Sequence, residues 1–409
     1  MAQDTTAFVA ALKEVWISDT IEEQLYQGNP LLEEIERVKP QSSIGEKAII
    51  AVHTGGAGGY TAVGPTGSNS LNAATQQEVK QAEYKLTRHW HPIELDTAVI
   101  NDSSSSAKAV AKAVDVEMTG ALSDLRRQLT RQAFGNGDAL IAQCTTTSGS
   151  TTVKLLASGY GYDAIARRWL SKGLKVDIGT TSEEAVIAGD REITAVSKST
   201  TEPTITISGE EVETSSSHYV SIANARSGST SYEMNGLRNL VAASGVVGGI
   251  NPSEFPVWAS PVDSTEQAIS LDALYERQDA VFQETGDEPD WALTSSKQYR
   301  EFYKLLQAQV RFNGDGSLQA GKKSGLMLGD TVVQRQPDCP DRLFFFLTKK
   351  DLCAIRDNGP EWVSQKYNGS GSAPVEWKQG TTKVVGSLEY NMQVGLTRRN
   401  SHTALTNLT

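Results

Sequence analysis

The sequence predicts an α+β fold with an extended N-terminal arm, one long helix and a β-rich insertion. Three patterns predict it: a two-stranded hairpin within residues 46–90, an apolar stripe of helical spacing after it, and short strands through the middle third. With 409 residues, the chain can bury a core in two or three lobes. Frequent glycine, serine and threonine favour strands and turns over a helix bundle.

Residues 1–45 form the predicted N-terminal arm. Two amphipathic segments, around Trp16–Tyr26 and Leu31–Ile35, flank Gly28-Asn29-Pro30, and each is too short to be a stable helix alone. We therefore expect the arm to lie along another surface. Its apolar side chains are the expected inter-subunit anchors, because aromatic and apolar residues without a core of their own are typical of interfaces. These anchors are Trp16, Ile17, Leu25 and Tyr26.

Residues 46–100 form the predicted extended hairpin loop. The first limb, 46–54, is strand-like, and the second, 77–90, alternates apolar and polar residues on either side of the glycine-rich segment 55–67. An isolated two-stranded hairpin is marginally stable in water, so we expect a neighbouring subunit to cover its apolar face. The expected contact residues are Gly55, Gly56, Gly58, Gly59, Tyr60, Tyr84, Leu86 and Trp90, with the last three on one face.

A spine helix is predicted within residues 101–144. Capping residues at Asn101–Ser104 begin it, and Gly135-Asn136-Gly137 ends it. A helix of about thirty residues spans roughly 45 Å. Its apolar stripe consists of Val110, Val114, Met118, Leu122, Leu125 and Leu129.

Residues 145–262 form a predicted β-rich insertion. Short strand-like runs alternate with turn residues, as in a small barrel or sandwich inserted into the main fold. The runs are 174–178, 192–196, 203–207 and 218–222.

An axial α+β domain is predicted over 263–345, and returning strands over 346–409. Two helices, 270–284 and 295–310, flank a strand at 291–294, and Ser295-x-x-Gln298 begins the second helix as a capping box. The first helix is predicted to turn Leu271, Leu274, Val281 and Phe282 inward. Further strands are predicted at 331–333, 343–347, 375–377 and 384–396, with Phe344–Phe346 in the core and a polar end at 398–400.

The net charge of −11, with no basic stripe, argues against tight binding of nucleic acid. Three widely spaced cysteines argue against a disulfide framework and fit a reducing compartment. The sequence contains no signal-peptide pattern or membrane-length apolar run, so the chain is expected to be cytosolic where it is made.

The order of these parts resembles the major capsid protein of tailed double-stranded DNA bacteriophages, a shell fold shared with encapsulins and the herpesvirus capsid floor. The similarity extends over nearly the whole chain, in order. The segments that carry it are 58–64 at the hairpin, 124–137 at the helix end, 174–178, 325–329 leading to 332–340, and 388–408.

The resemblance implies a structural, non-enzymatic subunit. Its arm and hairpin would reach over neighbours, its spine helix and flanking strands would form a peripheral lobe, and its axial lobe would lie at the capsomer centre. Hexamers and pentamers would close into an icosahedral shell around double-stranded DNA, assembled in the bacterial host cytoplasm. DNA would be contacted weakly and non-specifically, with no membrane involved and no cofactor or metal.

Because only about 45 residues precede the hairpin, we expect a separate scaffold protein and no maturation cleavage. A portal and a decoration protein are the other expected partners. Some relatives cross-link lysine to asparagine; Lys47, Lys80 and Lys85 lie on the hairpin limbs, but no full reacting trio is identifiable, so that chemistry is not carried over.

Two alternative functions remain open. One is an encapsulin-type compartment with enzyme cargo, and the other is a metal enzyme built on His89 and His91. A surface pair of histidines is favoured over a metal site, because no third ligand is identifiable. Likewise, the segment 55–67 lacks the Gly-Lys-Ser/Thr of a phosphate loop, and Ser105-x-x-Lys108 and Asn313–Gly316 fit a helix cap and a turn better than catalytic or calcium motifs.

Overall fold

A computed structural model of the chain describes residues 31–32, 34–35, 40–42, 47–56, 58–63, 72–73, 75–96, 107–156, 169–183, 187–199, 201–307, 326–356, 360–364 and 376–409. Four predicted anchors, Trp16, Ile17, Leu25 and Tyr26, lie outside these residues, as do Ser105 and Asn313–Gly316. Of the arm residues that are described, Leu31, Leu32 and Ile35 pack into the main core of their own chain.

A central sheet is organised around the long strand β22, Lys383–Leu396. β22 pairs antiparallel with β4, Thr87–Asp96, along its first ten residues and with β19, Leu352–Arg356, along its last five. Every second residue from Val384 onward is buried, which is why this stretch forms a strand with one face in the main core. The strands of this sheet are β1 Pro40–Ser42, β4 Thr87–Asp96, β19 Leu352–Arg356, β20 Glu361–Trp362, β21 Glu376–Trp377 and β22 Lys383–Leu396.

The predicted spine helix is confirmed as α1, Ala107–Ala133, which at 1.5 Å per residue is roughly 40 Å long. It lies across β4 and β22 and buries Leu125 and Leu129 in the main core. Met118 and Leu122 of the predicted stripe are half-buried. Near its end, Arg131 donates to Glu233 at 3.0 Å in a buried ion pair that joins the helix to the end of the insertion.

The predicted hairpin is confirmed as the paired strands β2, Lys47–Gly55, and β3, Glu78–Lys85. Leu86 then interrupts the second limb, and β4 continues from Thr87 into the central sheet. The interruption shifts the alternation by one residue: Ala82 and Tyr84 are buried before it, and His89 after it. Trp90 therefore does not share a face with Tyr84, and that part of the prediction is wrong.

The hairpin rests on its own chain, contrary to the expectation that it lacks an intramolecular partner. Val52, Ala82 and Tyr84 are buried in the main core. The Tyr84 hydroxyl donates to the Leu396 carbonyl at 3.0 Å and accepts from the Leu396 amide at 3.2 Å. The Glu83 amide donates to the carbonyl of Gly248, whose close approach to Ala82 leaves no room for a side chain. The base of the hairpin is thus anchored within the subunit.

The β-rich insertion has a core of its own, which extends from Ile141 to Val220. Its main sheet, in spatial order, contains β5 Leu140–Gln143, β12 Tyr219–Ile222, β8 Lys175–Gly179, β9 Ala188–Ser197, β10 Thr204–Ile207 and β7 Thr152–Lys154. Two small pairs join β6 Thr147–Ser150 to β11 Val212–Thr214 and β13 Arg226–Ser227 to β14 Thr230–Ser231.

After the insertion, the chain returns to the main core, where Met234, Leu237 and Trp258 are buried. Helix α2, Leu237–Leu240, and a 3₁₀ turn, Pro256–Trp258, lie in this segment. We therefore propose narrower limits for the insertion, about 140 to 233, than the predicted 145–262. By the same reasoning, we propose that the extended hairpin loop ends near residue 86 rather than at the predicted residue 100, because β4 belongs to the central sheet.

The axial domain contains a sheet whose one face is covered by two helices, α3, Leu271–Thr285, and α4, Ser296–Gln307. Ser270 caps α3, and Gly286, in the left-handed conformation, ends it. Phe344–Phe346 are fully buried, which confirms their predicted place in the core. The strands, in spatial order, are β16 Leu326–Leu328, β17 Thr331–Arg335, β15 Trp291–Thr294, β18 Phe344–Leu347 and β23 Thr403–Leu405; a 3₁₀ turn, Lys349–Asp351, follows β18.

Two local predictions for these helices differ from the structure. Phe282 is 52% exposed, because the buried face of α3 contains Gln278, which donates to Thr331 and reaches the β16–β17 turn. In the capping box, the Ser295 hydroxyl accepts from the Gln298 amide as expected. The Gln298 side-chain oxygen does not accept from the Ser295 amide, and its Nε2 atom donates instead to the Asp341 and Thr409 carbonyls.

Arg399 is fully buried, although its sequence neighbours predict a polar strand end. Its guanidinium donates to five backbone carbonyls at 2.9 to 3.3 Å, those of Leu240, Gly245, Trp258, Asn239 and Ser244. Burial lowers the pKa of Arg399 to about 10, so it remains charged at neutral pH. One side chain thus holds the 239–258 segment against the end of β22.

We predict that Arg399→Met destabilises the subunit by about 3 kcal/mol or more, because charge-assisted hydrogen bonds are worth about 1.5–3 kcal/mol each and several carbonyls would lose their donor. Chemical denaturation of the unassembled protein measures this. The matched control is Arg398→Met, because Arg398 forms a partly exposed ion pair with Asp287. Equal losses for the two variants would contradict the assigned role of Arg399.

Candidate assembly surface

The outward face of the hairpin exposes apolar side chains. Ile49 and Val79 lie on this face and are 51% and 56% exposed. Beyond the paired strands, Tyr60 is 86% exposed and Val63 is 49% exposed. We call these four residues the arm surface. Since the inward face is anchored on the core, the arm surface is the side that remains for another molecule.

The described part of the hairpin tip has no regular strand pairing, but its two limbs are joined by hydrogen bonds. The Gly58 amide donates to the Thr75 hydroxyl, and the Asn72 amide donates to the Thr61 hydroxyl at 2.8 Å. The Asn72 side chain also donates to the Tyr60 carbonyl at 2.8 Å. The chain therefore continues beyond Gly55 as a paired projection held by a few polar contacts.

The hairpin residues predicted to contact a neighbouring subunit differ in their exposure. Gly56, Gly58, Gly59 and Tyr60 are exposed near the tip, and Gly55 and Leu86 are half-buried. Trp90 is 51% exposed on β4, away from the arm surface. Tyr84 is buried in the main core of its own chain and offers no surface to a neighbouring subunit. It is therefore not an inter-subunit contact residue. Contact through the exposed residues remains a prediction.

Sequence reasoning missed Ile49, Val63 and Val79. The available signal was the Ile49-Ile50 pair, because adjacent apolar residues in a strand point to opposite faces. Ile50 is half-buried against the core, which leaves Ile49 facing outward. Because each face of strand β2 carries an apolar side chain, each face is expected to pack against another surface.

His89 and His91 lie on one face of β4, as their spacing of two residues predicts. This face is the inner one, beside the spine helix. His89 is buried rather than at the strand surface, and its Nε2 atom has no hydrogen-bond partner among the described residues. Burial, and secondarily Arg131, lower the pKa of His89 to about 4. Burial also lowers the pKa of His91, with Arg127 acting in the same direction and Asp124 opposing it. Neighbouring cations make this a poor environment for a metal ion.

Within the described residues, no three His, Cys, Asp or Glu side chains are grouped as a metal site. Cys144, Cys339 and Cys353 are buried thiols, and burial raises the pKa of Cys144 to about 12, so it is a poor nucleophile. The described helices include none that is long and apolar enough to cross a membrane.

Comparison with solved structures finds matches along the whole chain. The cyanophage A-1(L) capsid asymmetric unit matches with a TM-score of 0.60 and 13% identity, covering 98% of each chain. The capsid of an empty GTA particle matches with a TM-score of 0.53 and 12% identity, covering 98% of this chain and 96% of the other. An encapsulin complex from Synechococcus elongatus PCC 7942 also matches, with a TM-score of 0.47 and 8% identity over 100% and 96% of the two chains.

No protein-family model matches the sequence, and comparison with curated proteins finds no match. The structural matches nevertheless show the fold: the chain has the shell fold of phage major capsid proteins, and the fold class expected from the sequence is confirmed.

We predict that the buried His89 makes stability fall with pH below neutrality. Its pKa is about 4 when folded and about 6.5 when unfolded, so the unfolded chain binds more protons as the pH falls from 6.5 to 4. About 2 to 3 kcal/mol is lost over this window. We expect the free energy of unfolding, measured by denaturation at several pH values, to fall less steeply with decreasing pH in His89→Gln than in the parent protein. Above pH 7 the histidine is neutral in the folded and the unfolded state, so the unfolding free energies of the two proteins should depend on pH in the same way. The same pH dependence for both proteins below pH 7 as well would contradict the prediction.

Proposed function

We propose that this chain is a major capsid protein, which self-assembles as hexamers and pentamers into an icosahedral shell around a double-stranded DNA genome. Support comes from the end-to-end fold match with two phage-type capsid subunits. The observation that carries the proposal in this chain is the projecting hairpin, anchored on one face and apolar on the other.

The arm surface is suited to association by burial against a neighbouring copy. Covering a valine or isoleucine side chain contributes about 1.5 kcal/mol or more, and each subunit of a closed shell would gain this contact. A hairpin rigidly attached at its base can present these side chains without first being ordered, which reduces the entropic cost of binding.

The chain composition favours weak contact with DNA. Its net charge of −11 disfavours tight binding to phosphate, so an acidic inner surface would let the genome pack without adhering to the shell. A separate scaffold protein, a portal and a decoration protein are proposed partners, and the virion capsid, assembled in the bacterial host cytoplasm, is the proposed location.

Electron microscopy of the purified native particle tests this function. Closed shells of uniform diameter containing nuclease-protected DNA are expected. Shells that contain protein cargo and no DNA would favour the encapsulin-type alternative, and a discrete monomer under all conditions would overturn the proposal.

We predict that Ile49→Thr combined with Val79→Thr impairs assembly while leaving the subunit folded. Threonine is β-branched and keeps the strands, but removes apolar contact. Each lost contact of about 1.4 kcal/mol weakens association about tenfold. The yield of shells, measured by sedimentation, should therefore fall at least about tenfold, with an unchanged melting temperature of the monomer.

Tyr60→Ser tests the tip in the same assay, with Tyr232→Ser as its matched control. Tyr232 is also exposed, but lies at the end of the insertion and is not part of the arm surface. Removing the tip, residues 59–72, should likewise spare monomer folding and damage shell closure. Normal shells from all of these arm variants would contradict the role of the arm surface.

A further inference from the structure

Helix α3 exposes two aromatic side chains within an acidic face. Tyr275 is 47% exposed and Phe282 is 52% exposed, and they lie seven residues apart, on the same side of the helix. Asp272 and Asp279 lie on this side, and neither has a cationic partner within ion-pair distance among the described residues. We call Asp272, Tyr275, Asp279 and Phe282 the acidic face.

Helix α4 exposes a basic face. Lys297, Arg300 and Lys304 recur at positions three and four apart, and all three are exposed. Lys304 is paired with Glu301 at 2.7 Å, whereas Lys297 and Arg300 have no carboxylate within ion-pair distance in the described part of the chain. In a protein with a net charge of −11, these three residues form a small local cluster of positive charge on one helix face. We call these three residues the basic face.

Both helices are rigidly supported. Ala273 and Leu274 of α3 and Phe302 of α4 are buried in one cluster on the same side of the axial sheet. Gln278 ties α3 to the β16–β17 turn, and Gln298 ties α4 to the Asp341 and Thr409 carbonyls. The opposite faces of the helices are therefore held outward and need no rearrangement to bind.

We propose that the acidic face of one copy docks on the basic face of the next copy. Opposite charge complements the two faces, and Tyr275 and Phe282 supply the apolar contact, since aromatic anchors surrounded by charges are typical of interfaces. Because every copy carries one face of each kind, any two neighbouring copies can pair an acidic face with a basic face. This inference rests on the proposed self-assembly and names the surface that would mediate it.

A charge-swap experiment tests the proposal. The acidic-face variant is Asp272→Lys with Asp279→Lys, the basic-face variant is Lys297→Glu with Arg300→Glu, and a third protein combines all four changes. Each face variant alone would place like charges opposite one another, so ring and shell yield should fall at least about tenfold. The combined variant restores opposite charges and should recover most of the yield, and raised salt should weaken the parent contact.

The matched control is Lys154→Glu with Lys198→Glu, two exposed lysines on the insertion sheet. It changes the net charge as much as the basic-face variant does, and should leave the yield unchanged. Melting curves of the unassembled variants separate loss of contact from loss of folding. Sedimentation and electron microscopy measure the yield.

The outcomes distinguish this inference from the proposed function. If the parent protein never forms shells, the proposed function fails. If the parent assembles and the folded face variants assemble equally well, or if the combined variant shows no recovery, the pairing of these faces is overturned. If the basic-face variant assembles normally but its particles retain less DNA, α4 is a nucleic-acid contact and the pairing is overturned.

Discussion

The rest of the structure depends on the antiparallel pairing of β22 with β4. β4 lies near the start of the chain and β22 near its end, so this pairing closes a loop of nearly three hundred residues. The spine helix packs across both strands, and β19 pairs with the remaining length of β22. Since contacts between distant segments form late, the main core closes only after most of the chain has been made.

The end of β22 also fixes the positions of the hairpin and of the 239–258 segment. The Leu396 backbone bonds to Tyr84 and thereby fixes the base of the hairpin. Three residues later, the Arg399 guanidinium binds the 239–258 segment, whose Gly248 carbonyl accepts from the Glu83 amide of the hairpin. The end of β22 thus holds the hairpin in two ways, directly through Tyr84 and indirectly through the 239–258 segment. These contacts explain why the hairpin projects in a defined direction.

Sequence periodicity predicted the elements but not their partners. The spacing of Leu125 and Leu129 identified the spine helix, and alternation identified β3, because both patterns are local. The burial of Tyr84 depends on Leu396 and Gly395, more than three hundred residues away, which no local pattern reveals. Arg399 was misjudged for a similar reason: its five acceptors are backbone carbonyls, which have no sequence signature.

Predictions of which residues face the core failed where an element turned a different face to the core. The interruption at Leu86 separates Trp90 from Tyr84, and the buried Gln278 displaces Phe282 from the interior of α3. Hydrophobicity alone favours an aromatic residue over a polar one for the buried face of a helix. Because Gln278 satisfies its side chain by bonding to Thr331, its burial costs little, and the aromatic residue is left for the surface.

The arm surface belongs to the hairpin, whereas the acidic and basic faces belong to the two helices that cover the axial sheet. The two proposed contacts are therefore separate. Each is small, and a single contact of this size gives weak association. Once one contact has formed, however, the second becomes effectively intramolecular, and its strength adds without a second loss of translational freedom. Closed assemblies, in which every copy uses both contacts, are therefore favoured over open chains. Weak separate contacts also let a misplaced copy dissociate before closure, which a single strong interface would prevent.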